Sequence, residues 1–140
     1  MVQPRDTVTQ QLVDSMHVAA LRLLFPLRDG YHQLSLCDPL EVEGKKFPGL
    51  SVKTQGEQDA ELYFDPQTYL LSRIRVGALN GEGERVTKEI AFHDYRDWNG
   101  RKYASRMTAV DNGVQTLDAR ITGVEFFPEL AENTFQKPGR

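Results

Sequence analysis

The chain has a single cysteine, Cys37, so no disulfide bond can form within it. It has three histidines, and no two of them have HxxxH spacing; a CxxC pair is also missing. The sequence therefore predicts no metal site and no cofactor. A thiol nucleophile would need a histidine base such as His93 close in space. The favoured interpretation of Cys37 is a small buried thiol.

Long apolar runs and an excess of positive charge are also missing. The longest apolar run, residues 18–27, is interrupted by Arg22 and contains Pro26. It is far shorter than the ~20 residues that span a bilayer. Residues 1–6 contain no apolar stretch of the kind found in signal peptides, so none is expected in the chain as given. The net charge of −3 argues against a nucleic-acid binder.

What the sequence does contain is enough apolar material for one core. It has 140 residues, of which 39% are hydrophobic, and this fits a single domain over 1–140. We predict a helix at 7–25, an antiparallel sheet over about 31–126 and a short C-terminal segment at 127–140. The expected fold class is α+β, with the helix packed on a curved meander of about seven strands that forms an incomplete barrel.

The helix is predicted from its apolar periodicity and its ends. Thr7 and Gln10 have capping-box spacing, and Pro26 is expected to stop the helix. Residues 18, 21 and 25 widen the apolar stripe, so the C-terminal end should be the more buried. The stripe expected to face the sheet consists of Val8, Leu12, Met16, Ala19, Ala20, Leu23 and Leu24.

The strands are predicted from alternation and from turn residues. Two early strands, 31–37 and 47–54, are separated by a break at Asp38-Pro39 and a hairpin turn at 42–45. Five further extended segments follow at 61–64, 70–76, 85–95, 101–110 and 114–126, each ending in a turn cluster such as Asn112-Gly113. Residues 128–133 are expected to form one short helical turn, after which Phe135 packs back onto the sheet.

The widths of these elements predict a binding surface. One helix is about 10 Å wide with its side chains, whereas seven strands spaced ~4.8 Å apart form a much broader sheet. One helix cannot cover this sheet, so an apolar groove is expected beside it. Its candidate lining residues are Leu62, Phe64, Leu70, Ile74, Ile90, Phe92, Leu117 and Ile121 from the sheet, with Met16 and Leu23 from the helix.

Several segments resemble one bacterial family. Residues 41–45 followed by 50–52 look like a strand pair of that family, and residues 62–73 (LYFDPQTYLLSR) resemble its YFDxxTxLLxR hairpin. Residues 94–104 (DYRDWNGRKYA) resemble a DYRxxxGxxxP strand, with Ala104 in place of the usual proline, and 124–138 matches the closing segment. Together they are similar to the C-terminal half of the lipoprotein-carrier superfamily, the outer-membrane lipoprotein-sorting proteins and their relatives, over about residues 40–138.

This resemblance implies an incomplete antiparallel barrel curled around helices, with an apolar concave face that accepts acyl chains. It also implies a periplasmic or cell-envelope location and a non-enzymatic role; without the resemblance, a chain with no signal peptide would be assigned to the cytoplasm. None of the carriers' own functional residues can be transferred to this sequence.

The leading hypothesis is therefore a non-catalytic protein that binds a lipid, an acyl chain or a lipoprotein in its concave face. The alternative is a structural or protein-interaction module with a sealed core, which would dock a partner or a second copy as a homodimer. An enzyme is the least favoured class, because no nucleophile–base pair or metal cluster converges. Asp94 and Asp97 are three residues apart, so on a strand they would point to opposite faces.

Overall fold

The computed structural model describes residues 6–28 and 30–137, and of residues 25 and 26 the backbone only. In this part of the chain, one α-helix and one short 3-10 helix, Phe25–Arg28, precede the strands. The α-helix, α1, is Thr7–Arg22, and the strands are β1 His32–Val42, β2 Lys45–Thr54, β3 Ala60–Phe64, β4 Leu71–Leu79, β5 Arg85–Trp98, β6 Arg101–Asp111 and β7 Val114–Arg120.

The seven strands form one sheet in the order of the sequence, and every neighbouring pair is antiparallel. The sheet is not closed into a barrel, since β1 and β7 are its two edges. With α1 against one face, this confirms the α+β class and the meander of seven strands.

The tight hairpins follow from residues that accept a positive φ. Gly44 and Gly100 follow Glu43 and Asn99, and in both pairs the two residues have φ values between 51° and 85°. Asn112-Gly113 has the same geometry, with φ values of 46° and 85°. Two successive positive φ values are typical of the hairpin turns that match strand twist. The predicted turns at these positions are therefore confirmed.

The strand ends differ from the prediction at several places: β4 and β5 each continue three residues beyond their predicted ends, to Leu79 and Trp98, and the two edge strands differ most. β1 continues through Asp38-Pro39, where a break was expected, and its register against β2 shifts between Cys37 and Leu40. A proline is tolerated there because β1 is an edge strand, on which an N–H can be missing without loss of a ladder hydrogen bond. At the other edge, β7 ends at Arg120, so residues 121–126 are not part of the strand.

Both ends of the helix also require correction. The N-cap is Asp6, whose Oδ1 accepts a hydrogen bond from the Thr9 amide at 2.8 Å, so the capping box at Thr7 is wrong. This hydrogen bond lowers the pKa of Asp6. The helix ends at Arg22, three residues before the predicted end, and Pro26 lies within the 3-10 helix.

The orientation of α1 is the main error of the sequence prediction. Three members of the predicted stripe point away from the sheet: Val8, Leu12 and Met16 have 75, 61 and 64% of their surface exposed. Leu23, which is 63% exposed, lies just beyond the helix as its C-cap. The face against the sheet is instead centred on Asp14 and Leu21, which are 7% and 0% exposed. The expected deeper burial at the C-terminal end is confirmed by Leu21; the side chain of Phe25 lies outside the described residues.

Hydrogen bonds explain why polar side chains face the sheet at the helix N-terminus. Gln11 Nε2 donates to the carbonyl oxygens of Leu79 and Asn80, which ties α1 to the hairpin after β4. Gln10 Nε2 donates to Asp14 Oδ1 at 2.7 Å, which satisfies a carboxylate that is nearly buried. Periodicity alone carries no signal for such contacts between distant segments.

The core lies between the two helices and the middle strands. Its fully buried large side chains are Leu21, Val52, Leu62 and Ile74, and Leu24 and Leu27 of the connecting segment pack against it. Burying each such side chain contributes roughly 1.5–3 kcal/mol before conformational entropy is counted.

The C-terminal expectations are not met. Residues 132–135 form turns closed by Thr134 N to Ala131 O at 2.9 Å and Gln136 N to Asn133 O at 3.1 Å, and no helix forms over 128–133. Phe135 is 87% exposed, so it does not pack onto the sheet. Residues 1–5, 29 and 138–140 fall outside the described residues, and with them parts of the predicted closing segment and of the 1–140 domain.

Candidate functional site

A groove of about 660 Å³ lies between α1 and strands β4, β5 and β6. Its size is that of an ordinary small-molecule site. The apolar part of its wall consists of Val18, Ala19, Leu23, Ala78, Leu79, Ile90, Phe92, Tyr103 and Met107. The polar part consists of Gln11, Asp14, Ser15, Arg22 and Lys88.

The groove exists because the helix covers only the middle of the sheet. Among the strands, α1 lies against β4, while the 3-10 helix that follows it approaches β1. The connecting segment therefore covers the β1 side, and the β5–β6 side has no second helix above it within the described chain. This is the mismatch of widths expected from the sequence.

The floor of the groove comes from residues that pair directly across strands. Ile90 of β5 pairs with Ile74 of β4, and Phe92 pairs with Met107 of β6. Residues directly opposite on an antiparallel pair share a face. The groove floor is therefore continuous with the core. Ile74 is covered by the helix, whereas Ile90, Phe92 and Met107 line the open groove beside it.

One end of the groove holds charges of both signs. Asp14 lies on its helix side, and Lys88 of β5 lies on its sheet side. Lys88 Nζ is 3.8 Å from Asp111 Oδ1, its cross-strand partner. At this end the positive charge of Lys88 therefore has the carboxylate of Asp111 beside it.

The other end holds Arg22, the last residue of α1. Its guanidinium carbon lies 4.6 Å from the ring centre of Phe92 and 4.3 Å from that of Tyr103. Its Nη1 donates to Met107 Sδ at 3.8 Å. None of the ion pairs formed within residues 6–28 and 30–137 includes Arg22.

The structure brings only some of the predicted lining residues into this groove. Leu23, Ile90 and Phe92 line it. Leu62 and Ile74 lie sealed in the core at 0% exposure. The remaining five are spread around the molecule: Met16 on the outer side of α1, Leu117 on β7, Phe64 packed against the core, half-buried Ile121 after β7, and Leu70 in a separate cavity of about 240 Å³.

Groove residues missed by the sequence prediction include Arg22, Lys88, Tyr103 and Met107. Residues 101–110 carry mixed side chains on both faces, so alternation gives no signal for the contribution of β6. Arg22 did leave a signal, since it is the one charged residue within the apolar run 18–27. A charge inside such a run marks a position where an apolar surface meets a polar group.

The nucleophile–base pair considered from the sequence does not form. Cys37 is on β1 and His93 is on β5, and four strand spacings separate these strands by about 19 Å. Partial burial and the nearby Glu61 raise the pKa of Cys37. Burial and the charge of Arg106 lower the pKa of His93, whose Nε2 lies 2.8 Å from Thr108 Oγ1.

The opposite face of the sheet is a network of ion pairs. Glu89 accepts hydrogen bonds from Arg73 at 2.7 Å and from Arg75 at 3.0 Å. Burial alone would raise the pKa of Glu89, but these hydrogen bonds outweigh it and lower the pKa. Tyr63 lies beneath Arg75 and is only 3% exposed. No three His, Cys, Asp or Glu side chains come together as metal ligands in the described residues.

Comparison with known proteins gives one distant similarity. The fold is similar to a solved structure described as an outer membrane lipoprotein-sorting protein domain from Vibrio parahaemolyticus, with a TM-score of 0.45 and 13% sequence identity. The match covers 68% of this chain and 44% of that one, so this chain spans less than half of the solved domain. No family model and no curated protein matches the sequence. Among the described residues, α1 falls short of the length and apolar character of a membrane-spanning helix.

Proposed function

We propose that this chain is a non-catalytic binding protein for a lipidic or other apolar ligand, held in the groove between α1 and strands β4–β6. The observation that carries the proposal is the groove itself, about 660 Å³ in volume and walled mainly by apolar side chains. Most of its floor is contributed by strands, whose side chains are fixed by cross-strand pairing.

The energetics favour an apolar chain in such a site. Removing apolar surface from water contributes about 25 cal/mol per Å², and part of this gain is offset by the loss of freedom on binding. Ile90, Phe92 and Met107 are already held by the sheet, so little side-chain ordering is needed when a ligand enters. A flexible acyl chain supplies the large apolar area that the site can bury.

The proposal can be tested with an uncharged fluorescent probe, N-phenyl-1-naphthylamine, titrated with the purified protein. We expect saturable enhancement of its fluorescence. Ala19→Trp should weaken binding about tenfold or more, equivalent to about 1.4 kcal/mol, because the indole would occupy the groove. The matched control is Met16→Trp, which places the same side chain on the same helix at a position that does not line the groove.

Two results would contradict the proposal. One is a fluorescence titration that never saturates with a folded protein. The other is equal binding to both tryptophan variants, which would locate the probe outside the groove. Circular dichroism of each variant establishes that its fold is retained.

A second candidate function is the interaction module, and the outer face of α1 favours it. Val8, Leu12 and Met16 are each more than 60% exposed on that face, a surface typical of protein contacts. Analytical ultracentrifugation separates the two functions. A concentration-dependent dimer that is lost in Leu12→Glu, together with no probe uptake, would favour the module.

Transport of lipoproteins and an envelope location rest on the family resemblance of the sequence alone. They remain predictions, and fractionation of cells that produce the native protein is the direct measurement of its location.

A further inference from the structure

We infer that the ligand of the groove is an amphiphile with an anionic head group, a carboxylate or a phosphate monoester, bound by Arg22. Its apolar chain would lie over Ile90 toward Ala78 and Leu79. This inference rests on the proposed function and adds the chemical class of the ligand and the direction in which it lies.

The state of Arg22 is the first argument. A guanidinium has five N–H donors in a planar fork that fits a carboxylate or phosphate. Within the described residues, its side chain makes one hydrogen bond, from Nη1 to the sulfur of Met107, which is a weak acceptor. The rings of Phe92 and Tyr103 hold the guanidinium from its faces. Such stacking leaves the edge of the fork, where anions bind, available.

The separation of charges along the groove is the second argument. Asp14 and Arg22 are eight residues apart on one helix, which places them about 12 Å apart along its axis. Lys88 and Phe92 are four residues apart on β5, which is about 13 Å along the strand. Gln11, which precedes Asp14 by about one helical turn, bonds to the hairpin that leads into β5. Asp14 therefore lies at the Lys88 end together with Asp111, and these carboxylates repel an anion there. At the other end, no carboxylate of the described residues lies within ion-pair distance of Arg22.

The apolar setting of Arg22 is the third argument. A hydrogen bond between two charged groups is roughly twice as strong as a neutral one, and the low dielectric of an apolar wall strengthens it further. An uncharged head group would leave the donors of Arg22 covered by the ligand and without strong acceptors, which is unfavourable. The site should therefore prefer an anion over an alcohol on a chain of equal length.

The experiment measures displacement of N-phenyl-1-naphthylamine at pH 7.5 by three competitors with the same chain: dodecanoate, dodecyl phosphate and dodecanol. We expect at least one of the two anions to displace the probe at about tenfold lower concentration than dodecanol. The arm that shows the stronger effect identifies carboxylate or phosphate as the natural head group. The preference should shrink as salt is raised.

Three variants assign the preference to one side chain. Arg22→Met keeps an apolar stem of similar length and should abolish the preference for anions over dodecanol, both measured on this variant with the same probe. Arg22→Lys keeps the charge without the fork and should retain part of the preference. Lys53→Met is the control: it removes one positive charge at an exposed position of β2 that does not line the groove, and it should leave the preference unchanged. Thermal unfolding of each variant shows whether its fold is retained.

The outcomes separate the two proposals. Saturable probe binding with no preference between dodecanol and the anions would overturn this inference and leave the proposed function intact. A preference that survives in folded Arg22→Met, or that disappears in Lys53→Met, would also overturn it. If no probe or competitor binds at all, the proposed function fails and the inference fails with it.

Discussion

Residue-scale packing is tight where β1, β2 and β3 meet on the face away from α1. A Cβ atom built on Gly49 would lie 2.6 Å from Cys37 Sγ and 2.9 Å from Cε1 of Tyr63. Glycine is required at this position for space, since the side chains of both neighbours already cover the backbone. Tyr63 is held there by its hydroxyl, which donates a hydrogen bond to Glu61. Burial and this hydrogen bond raise the pKa of the phenol.

Gly49→Ala should therefore destabilise the protein by about 1–3 kcal/mol, the usual cost of overpacking. Urea unfolding monitored by circular dichroism measures the change. The control is Gly123→Ala, because a Cβ at Gly123 meets nothing within 4 Å. Adding Cys37→Ala should recover part of the loss, since it removes the closest contact. Equal free energies of unfolding for Gly49→Ala and Gly123→Ala would contradict the prediction, because the neighbours of Gly49 would then accommodate a methyl group without loss of stability.

At the scale of elements, the helix and the sheet were predictable to different degrees. Hairpins such as Asn99-Gly100 carry strong local signals, because few residues accept a positive φ. Their positions fixed the number of strands and their order. The rotation of a helix about its axis has no such local signal. It depends here on Gln11 bonding to the hairpin after β4, a contact 68 residues away in sequence.

The same limit applies to the candidate site. Sequence alternation placed Ile90 and Phe92 on the inner face, and both line the groove. It also placed Ile74 there, yet this residue is sealed under the helix because α1 lies over β4. Alternation identifies the face of a strand, but the position of the covering helix decides which part of that face stays open. Arg22 was missed because its position in the groove depends on stacking against the rings of Phe92 and Tyr103, which belong to strands distant in sequence.

A pair of leucines tests the rotation of the helix. Leu21→Ala should cost about 2–5 kcal/mol in free energy of unfolding, since Leu21 is 0% exposed in the core. Leu12→Ala should change it by no more than about 0.5 kcal/mol, since Leu12 is 61% exposed. Chemical denaturation of both variants gives the comparison. A larger loss for Leu12→Ala would mean that the predicted stripe, and not the observed face, packs on the sheet.

For the whole molecule, stability should decrease from the middle of the sheet toward its edges. β3 has a strand on each side and holds Leu62 at 0% exposure. β7 pairs only with β6, and nearly all of its residues are exposed. Segments with few buried apolar contacts open locally at low free-energy cost.

Hydrogen–deuterium exchange followed by mass spectrometry measures this gradient. We expect peptides covering Ala60–Phe64 to exchange slowest and peptides covering Val114–Arg120 to exchange much faster, at equal pH and temperature. A saturating groove ligand should slow exchange in β5 and β6, which line the groove, and leave β7 unchanged. Equal protection of β3 and β7 in the free protein would contradict the gradient.

The proline of β1 has a consequence for how copies of this chain can polymerise. A fibre grows by strand addition only if each molecule has two free edge strands, so that it can pair with one copy on each side. Pro39 and the register shift beside it interrupt the hydrogen-bonding edge of β1, which hinders the addition of another strand at β1. Two copies can then pair more readily through their β7 edges. In such a symmetric dimer both β7 edges are occupied, so no further copy can be added there.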